Sequence, residues 1–166
     1  IDVGNLGSVN LAQHMKDGKL DEEKVKQTVS TAIRMLDNVI NINYYSVDTA
    51  KNSNLKHRPI GLGMMGFQDT LYMQNIAYCS DEAVEFADRS MELISYYAIH
   101  ASTELAKERG SYESYKGSLW SQGILPRDSL EILDKNRGPE YLNVDKSETL
   151  AWDSLSKKVI TEGMIN

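Results

Sequence analysis

The sequence contains few of the residues that cross-link a chain, break its helices or stack in its core. Its 166 residues include one Cys, three Pro, two Phe and two Trp. A single Cys excludes an internal disulfide framework and a Cys-based zinc site. The longest apolar runs are only a few residues, so we expect no transmembrane helix. The chain also shows no charged-then-apolar leader of the kind that directs secretion. Acidic residues outnumber basic ones 24 to 18, which argues against binding of DNA or RNA.

These absences leave a globular protein of ordinary composition, which we expect to be cytoplasmic. Hydrophobic residues make up 41% of the chain and charged residues 25%, as is typical of a folded domain. Both ends are apolar, at Ile1–Leu11 and Gly163–Asn166, whereas the ends of complete domains are usually polar. We therefore predict one partial domain over residues 1–166, incomplete at both ends.

Three amphipathic helices are predicted, and they make the chain mainly α. Asp21 is the expected cap of a helix to about Ile42, in which apolar residues recur every three to four positions. Ser80 is the expected cap of a longer helix to Glu108, and a last helix covers Trp152–Glu162. On the long helix the predicted packing stripe is Val84, Ala87, Met91, Ile94, Ala98, Ala101 and Leu105.

The remaining segments carry weaker signals. Residues 43–58 are polar and are predicted to form a connection, followed by a short helix that ends near Gln74. Pro126 and Asp128 open another short helix to about Lys135. Strand-like pieces occur only near the two ends and around Ile60, so no βαβ alternation is predicted.

One segment matches a nucleotide-binding pattern. Gly61–Gly66 reads G-x-G-x-x-G, which would bind a dinucleotide if it followed a strand and opened a helix at the pyrophosphate. The polar connection and Arg58-Pro59 leave almost no room for that strand. The sequence therefore favours a second interpretation, in which the small residues let a turn pack closely against a neighbouring element.

The residues most able to bind metals or react are isolated from one another. His14, His57 and His100 have no partner at i+4, so structural or solvated roles are predicted for them instead of metal ligation. Cys79 lies just before the predicted cap Ser80, where a helix N-terminus can lower a thiol pKa. No second Cys or base accompanies it, so an inert thiol is predicted. We expect no metal site and no cofactor site within these residues.

Several stretches resemble a single known family. Gly4–Leu11 resembles the family motif Cys-Asn-Leu-Gly-Ser-Ile-Asn-Leu. The other similar runs are Met35–Ile40, Arg58–Asp69, Glu104–Gly110 with Tyr112, Gly117–Trp120 and Gly123–Pro126. They span nearly the whole chain in the family's order and spacing, and they resemble the large (α) subunit of class I ribonucleotide reductase.

The resemblance implies a fold and an activity for the parent protein. It implies a ten-stranded α/β barrel, to which this chain would contribute mainly outer helices. It also implies reduction of ribonucleoside diphosphates at the 2′ position by a cysteine radical, with a redox Cys pair as the source of electrons. The implied partners are the remainder of the large subunit, a metal-containing small subunit that generates the radical, and the ribonucleoside diphosphate substrate. The resemblance further implies that the parent protein uses a thiol reductant and nucleotide effectors.

One functional position of the family falls within the chain. The radical Cys of the family would lie before Ile1 and its phosphate-holding loop after Asn166. Gly4 stands where the family motif has its second redox Cys. Glycine has no sulfur and cannot form the required disulfide. Three interpretations stay open: a substitution, a non-catalytic polypeptide, or an alignment displaced at this edge.

Two functions of different classes follow from these observations. The first is an internal part of the reductase large subunit that is inactive alone, and the ordered motifs favour it. The alternative is a self-standing helical module that binds a partner through its apolar edges without chemistry, which Gly4 and the lack of a complete site favour. A nicotinamide-binding protein would rest on Gly61–Gly66 alone.

Overall fold

The computed structural model describes residues 1–166, and helices dominate it. The helices are α1 (Glu22–Ile42), α2 (Asp48–His57), α3 (Phe67–Gln74), α4 (Asp81–Arg109), α5 (Ser129–Arg137) and α6 (Trp152–Glu162). The strands are β1 (Asn5–Asn10), β2 (Met15–Lys16), β3 (Lys19–Leu20) and β4 (Ile60–Met65). No helix combines the length and the apolar character that a membrane crossing needs. The prediction of a mainly α chain is confirmed.

The three principal helices begin and end close to their predicted positions. Asp21 caps α1, where its Oδ1 accepts a hydrogen bond of 3.1 Å from the Lys24 amide. Ser80 caps α4 in the same way through its Oγ, at 3.2 Å from the Ala83 amide. Helix α4 packs against α1 on one side and α6 on the other. These predictions are confirmed because α1 and α4 carry their own capping residues. All three helices, α6 included, carry apolar residues at helical spacing.

Strands β1 and β4 form a parallel pair, with Asn5 opposite Ile60 and Asn10 opposite Met65. Parallel strands require a crossover connection, and here α1 and α2 provide it. The prediction that no βαβ alternation exists was therefore wrong. Two of the six residues of β4 are the glycines Gly61 and Gly63, and glycine weakens the sequence signal of a strand.

Helix α2 lies in the segment predicted to be a connection, so that prediction was wrong over residues 48–57. The helix buries only Ala50 and Asn54, which leaves almost no apolar periodicity to detect. Its last turn ends at Arg58, which adopts a left-handed conformation with φ 46°. Long-range contacts of Asn54 and Arg58, described below, hold α2 in place.

The core forms two clusters that meet at α4. The first lies between α1, α4 and the β1–β4 pair, and the second lies between α4, α6 and the loop before α5. The predicted stripe on α4 is only partly correct, because Val84 is 69% and Met91 41% exposed. In the first half of α4 the buried face instead passes through Ala83, Ser90 and Leu93, whose small members attract little notice in a hydrophobic pattern.

Candidate functional site at the start of the parallel strands

Gly4 lies immediately before β1 and is exposed. A Cβ built on Gly4 would lie 3.7 Å from Leu6 Cδ2, which is an ordinary van der Waals contact. The φ of Gly4 is outside the left-handed region that only glycine adopts readily. The backbone at position 4 therefore accepts an L side chain, including that of cysteine. The role of this position stays a prediction.

The next residue, Asn5, is buried at the start of β1 with 7% of its surface exposed. Its Oδ1 accepts a hydrogen bond of 3.3 Å from Nδ2 of Asn43, the residue that ends α1. Its own Nδ2 is buried and has no hydrogen-bond partner. An unpaired buried donor costs about 1–3 kcal/mol, so an additional acceptor at this point would stabilise the strand start.

The glycine pattern Gly61–Gly66 does not form a phosphate-binding loop. Gly61 and Gly63 lie inside β4, opposite Leu6 and Ser8 of β1. A Cβ on Gly61 would come within 2.6 Å of Leu6 Cδ2. Gly66 begins α3 with φ +75°, and a Cβ there would lie 2.6 Å from Asn10 Oδ1. The glycines thus permit close approach of β4 and α3 to the first strand, as the second interpretation predicted.

The structure does not bring the histidines and the cysteine together. His14 is buried, with Nδ1 2.7 Å from the Asn10 carbonyl and Nε2 2.7 Å from Thr28 Oγ1, which confirms a structural role. His57 is hydrogen-bonded to Ser114, and Cys79 is exposed. No three His, Cys, Asp or Glu residues converge closely enough to hold a metal ion.

A buried ion-pair cluster was missed by the sequence reasoning. Asp37 on α1 has no exposed surface, and its Oδ1 accepts hydrogen bonds of 2.9 Å and 2.7 Å from Nε and Nη2 of Arg58. Its Oδ2 accepts one of 2.7 Å from Nη1 of Arg109, at the end of α4. Asn166 Nδ2 donates to Oδ1 at 3.0 Å. The carboxylate therefore joins α1, the start of β4, the end of α4 and residue 166.

This cluster lies at the same end of the strand pair as Gly4. Arg58 stands two residues before Ile60, the residue that pairs with Asn5. A signal for the cluster was available in the sequence: Asp37 is in helical phase with the buried Ile33 and Ile40, and a buried acid requires a partner. The partners were not visible, because they lie 21, 72 and 129 positions further along the chain.

A second, partly buried carboxylate connects α4 to α6. Glu92 accepts hydrogen bonds from the Thr149 amide at 2.8 Å, the Thr149 hydroxyl at 2.6 Å and the Trp152 indole at 3.0 Å. Burial alone would raise the pKa of the Glu92 carboxyl, but these hydrogen bonds more than offset it and leave the pKa below its ordinary value. The Glu92 carboxylate is thus kept ionised, and it fixes the start of α6 to α4 through these hydrogen bonds.

The chain matches one protein family over its full length. The family described as ribonucleotide reductase, barrel domain, covers residues 1–166. A ribonucleoside-diphosphate reductase subunit alpha of Chlamydia muridarum is 57% identical over 99% of this chain and 16% of its own length. Large subunits or chains of the same name from Vaccinia virus and Schizosaccharomyces pombe are 38% and 36% identical, again over 99% of this chain and 20% and 19% of their lengths.

These matches confirm the predicted resemblance. The parallel β1–β4 pair, connected through helices and packed against α1 and α4, is a unit of the kind that builds α/β proteins. The chain belongs to the ribonucleotide reductase family, in its barrel domain. It spans between 16% and 20% of the length of these relatives.

Proposed function

We propose that this chain is part of the large subunit of a ribonucleoside-diphosphate reductase, which reduces ribonucleotides to deoxyribonucleotides for DNA synthesis. The observation that carries the proposal is the family match over the whole of residues 1–166. Relatives with this name come from bacteria, a virus and a yeast. The alternative of a self-standing helical interaction module is not favoured by that match.

The proposal includes a ten-stranded barrel, of which residues 1–166 are a partial domain. In the β1–β4 pair each strand has a single partner, whereas parallel sheets are normally extended and covered on both faces. Leu6 on β1 is 78% exposed and Met65 on β4 is 54% exposed. An open apolar groove of about 350 Å³ also runs beside β4, lined by Ile60, Leu62 and Ile94. Strands from the rest of the subunit would cover these surfaces.

In the proposed chemistry, the residue at position 4 decides whether this chain supplies one of the two redox thiols. Two thiols supply two electrons when they are oxidised to a disulfide, and the 2′ hydroxyl of the ribose leaves as water while hydrogen takes its place. If position 4 carries one of those thiols in the family, Gly4 removes it. The chain as written would then hold the strand scaffold of the site without this source of electrons.

The same proposal includes the molecules with which this chain would act. They are the remainder of the large subunit, a radical-generating small subunit that contains a metal, the ribonucleoside diphosphate, a thiol reductant and nucleotide effectors. None of the residues of this chain is assigned to hold the metal, which would belong to the small subunit. A cytoplasmic location stays a prediction.

The test compares the full-length large subunit with its Gly4→Cys variant, each mixed with the small subunit, dithiothreitol and CDP. Formation of dCDP is measured by chromatography, and an immunoblot gives the mass of the native polypeptide. We expect a band several times heavier than 18.7 kDa and dCDP formation by the Gly4→Cys protein. Little dCDP is expected from the native Gly4 protein if position 4 holds the second redox thiol.

Each outcome of the assay has one meaning. Turnover by both proteins supports the proposed function and contradicts the assignment of a redox role to position 4. Turnover by the Gly4→Cys protein but not by the native Gly4 protein supports the proposed function and also the redox role of position 4. Absence of turnover in both proteins, with the small subunit shown to be active on a reference large subunit, contradicts the proposed function.

A further inference from the structure

The backbone just before β1 is held by a side chain and not by a strand. The ladder between β1 and β4 starts at Asn5 and Ile60, so residues 2–4 have no strand partner. Asn54 on α2 supplies the missing hydrogen bonds: its Nδ2 donates to the Val3 carbonyl at 2.6 Å, and its Oδ1 accepts from the Val3 amide at 3.0 Å. A neighbouring strand would make the same pair of bonds to residue 3.

Hydrogen bonds from other side chains fix the residues on both sides of Gly4. Ser53, also on α2, donates a hydrogen bond to the Asp2 carboxylate. On the other side, Asn43 donates to Asn5. Gly4 itself is exposed and makes none of these side-chain contacts, yet its backbone is fixed between two anchored neighbours.

Asn54 has no exposed surface, although α2 contributes little apolar burial. A buried amide costs free energy unless it is hydrogen-bonded, and here both polar atoms of the side chain bind Val3. The other buried residue of this helix is Ala50. Through this contact the buried face of α2 is joined to the backbone that precedes β1.

We propose that Asn54 is a positioning residue for position 4: its amide pair with Val3 sets the backbone from which a side chain at position 4 would leave the strand. This inference deepens the proposed function and rests on it, because position 4 matters through the redox role that the family resemblance gives it. The hydrogen bonds between Asn54 and Val3 can be tested without measuring turnover.

The test places a nitroxide at position 4 of the full-length subunit by Gly4→Cys substitution in a Cys79→Ser background. The Cys79→Ser protein, labelled in parallel, provides the spectrum to subtract. Asn54→Ala is compared with the matched control Asn52→Ala, since Asn52 is exposed on the same helix. A second comparison uses Asn54→Asp, which keeps an oxygen to accept from Val3 and loses the donor.

We expect Asn54→Ala to increase the mobile component of the spectrum at position 4, with Asn54→Asp intermediate and Asn52→Ala unchanged. Amide hydrogen exchange at Val3 should accelerate about two- to tenfold, as expected for the loss of one hydrogen bond. In a separate protein that keeps Gly4 and Cys79, the nitroxide spectrum at Cys79, obtained after subtraction of the Cys79→Ser spectrum, should not change on Asn54→Ala substitution.

An unchanged spectrum at position 4 in Asn54→Ala would overturn the proposal. Equal increases in mobility at positions 4 and 79 would overturn it too, because they indicate general loosening and not local positioning. A local change at position 4, combined with no dCDP formation by the unlabelled Gly4→Cys subunit with native Asn54 and an active small subunit, would support the positioning role and contradict the proposed function alone.

Discussion

At the scale of single residues, Asp37 is a buried carboxylate that three other side chains hold in place. It has no exposed surface and accepts hydrogen bonds from two arginines and from Asn166. A buried carboxylate is tolerated only when such partners compensate its desolvation. The side chains of Arg58 and Arg109 are themselves only 12% and 29% exposed, so the cluster acts as one unit.

We expect Asp37→Ala to destabilise the full-length subunit by about 3 kcal/mol, because it leaves two partly buried guanidinium groups without their counter-charge. Thermal or urea unfolding measures the change. Glu113→Ala is the control, since Glu113 pairs with Lys56 at 3.9 Å on the exposed surface, where ion pairs contribute little. Equal losses from the two substitutions would contradict the role assigned to the buried cluster.

At the scale of elements, the junction of β4 and α3 depends on one glycine. Gly66 adopts φ +75° at the start of α3, and a Cβ there would lie 2.6 Å from Asn10 Oδ1 and 3.3 Å from the backbone nitrogen of Ala12. The segment after β1 is thereby allowed to approach α3 closely. The conformation and the contact each favour glycine.

Two alanine substitutions separate the effect of the positive φ from the effect of the close contact. Gly18 has a similar φ of +73° in the β2–β3 turn, but nothing lies within 4 Å of its Cβ position. Gly18→Ala should cost about 1 kcal/mol from backbone strain alone, and Gly66→Ala at least about 2 kcal/mol from strain and crowding together. Urea unfolding measures both, and a Gly18→Ala cost as large as that of Gly66→Ala would show that the close approach is unimportant.

At the scale of the whole molecule, half-burial of His100 on α4 makes stability depend on pH. Burial lowers the pKa of the His100 imidazole below its ordinary value of 6.5, and the nearby Lys158 and Lys26 lower it further against the opposing effect of Glu104. The unfolded chain therefore binds a proton at a higher pH than the folded chain does. Stability falls as pH decreases through about 6.5 towards the folded-state pKa.

We expect His100→Gln to reduce the loss of thermal stability of the full-length subunit between pH 7 and pH 5, since it removes a group that binds a proton more readily in the unfolded state than in the folded state. The melting temperature is measured across that range. His57→Gln serves as the control, because His57 is exposed. A pH profile of His100→Gln that coincides with that of the native protein would exclude this contribution.

Features that local sequence encodes were predicted well, and features that depend on distant partners were not. Helices α1, α4 and α6 were predicted because apolar spacing lies within each segment, and α1 and α4 also carry a capping residue. Helix α2 and the parallel pairing of β1 with β4 were missed, since Asn54 and the glycines of β4 acquire their partners only in the folded chain. Position 4 was found by family resemblance and not by any local chemical signal.

The amino-acid sequence alone was enough to predict the family and the three principal helices. Tertiary structure alone decided that Asp37 becomes the buried centre of an ion-pair cluster and that Asn54 holds the backbone before Gly4. The physical reason is that periodicity and capping act over a few residues, whereas a buried polar group is stabilised only by the partner that folding brings to it.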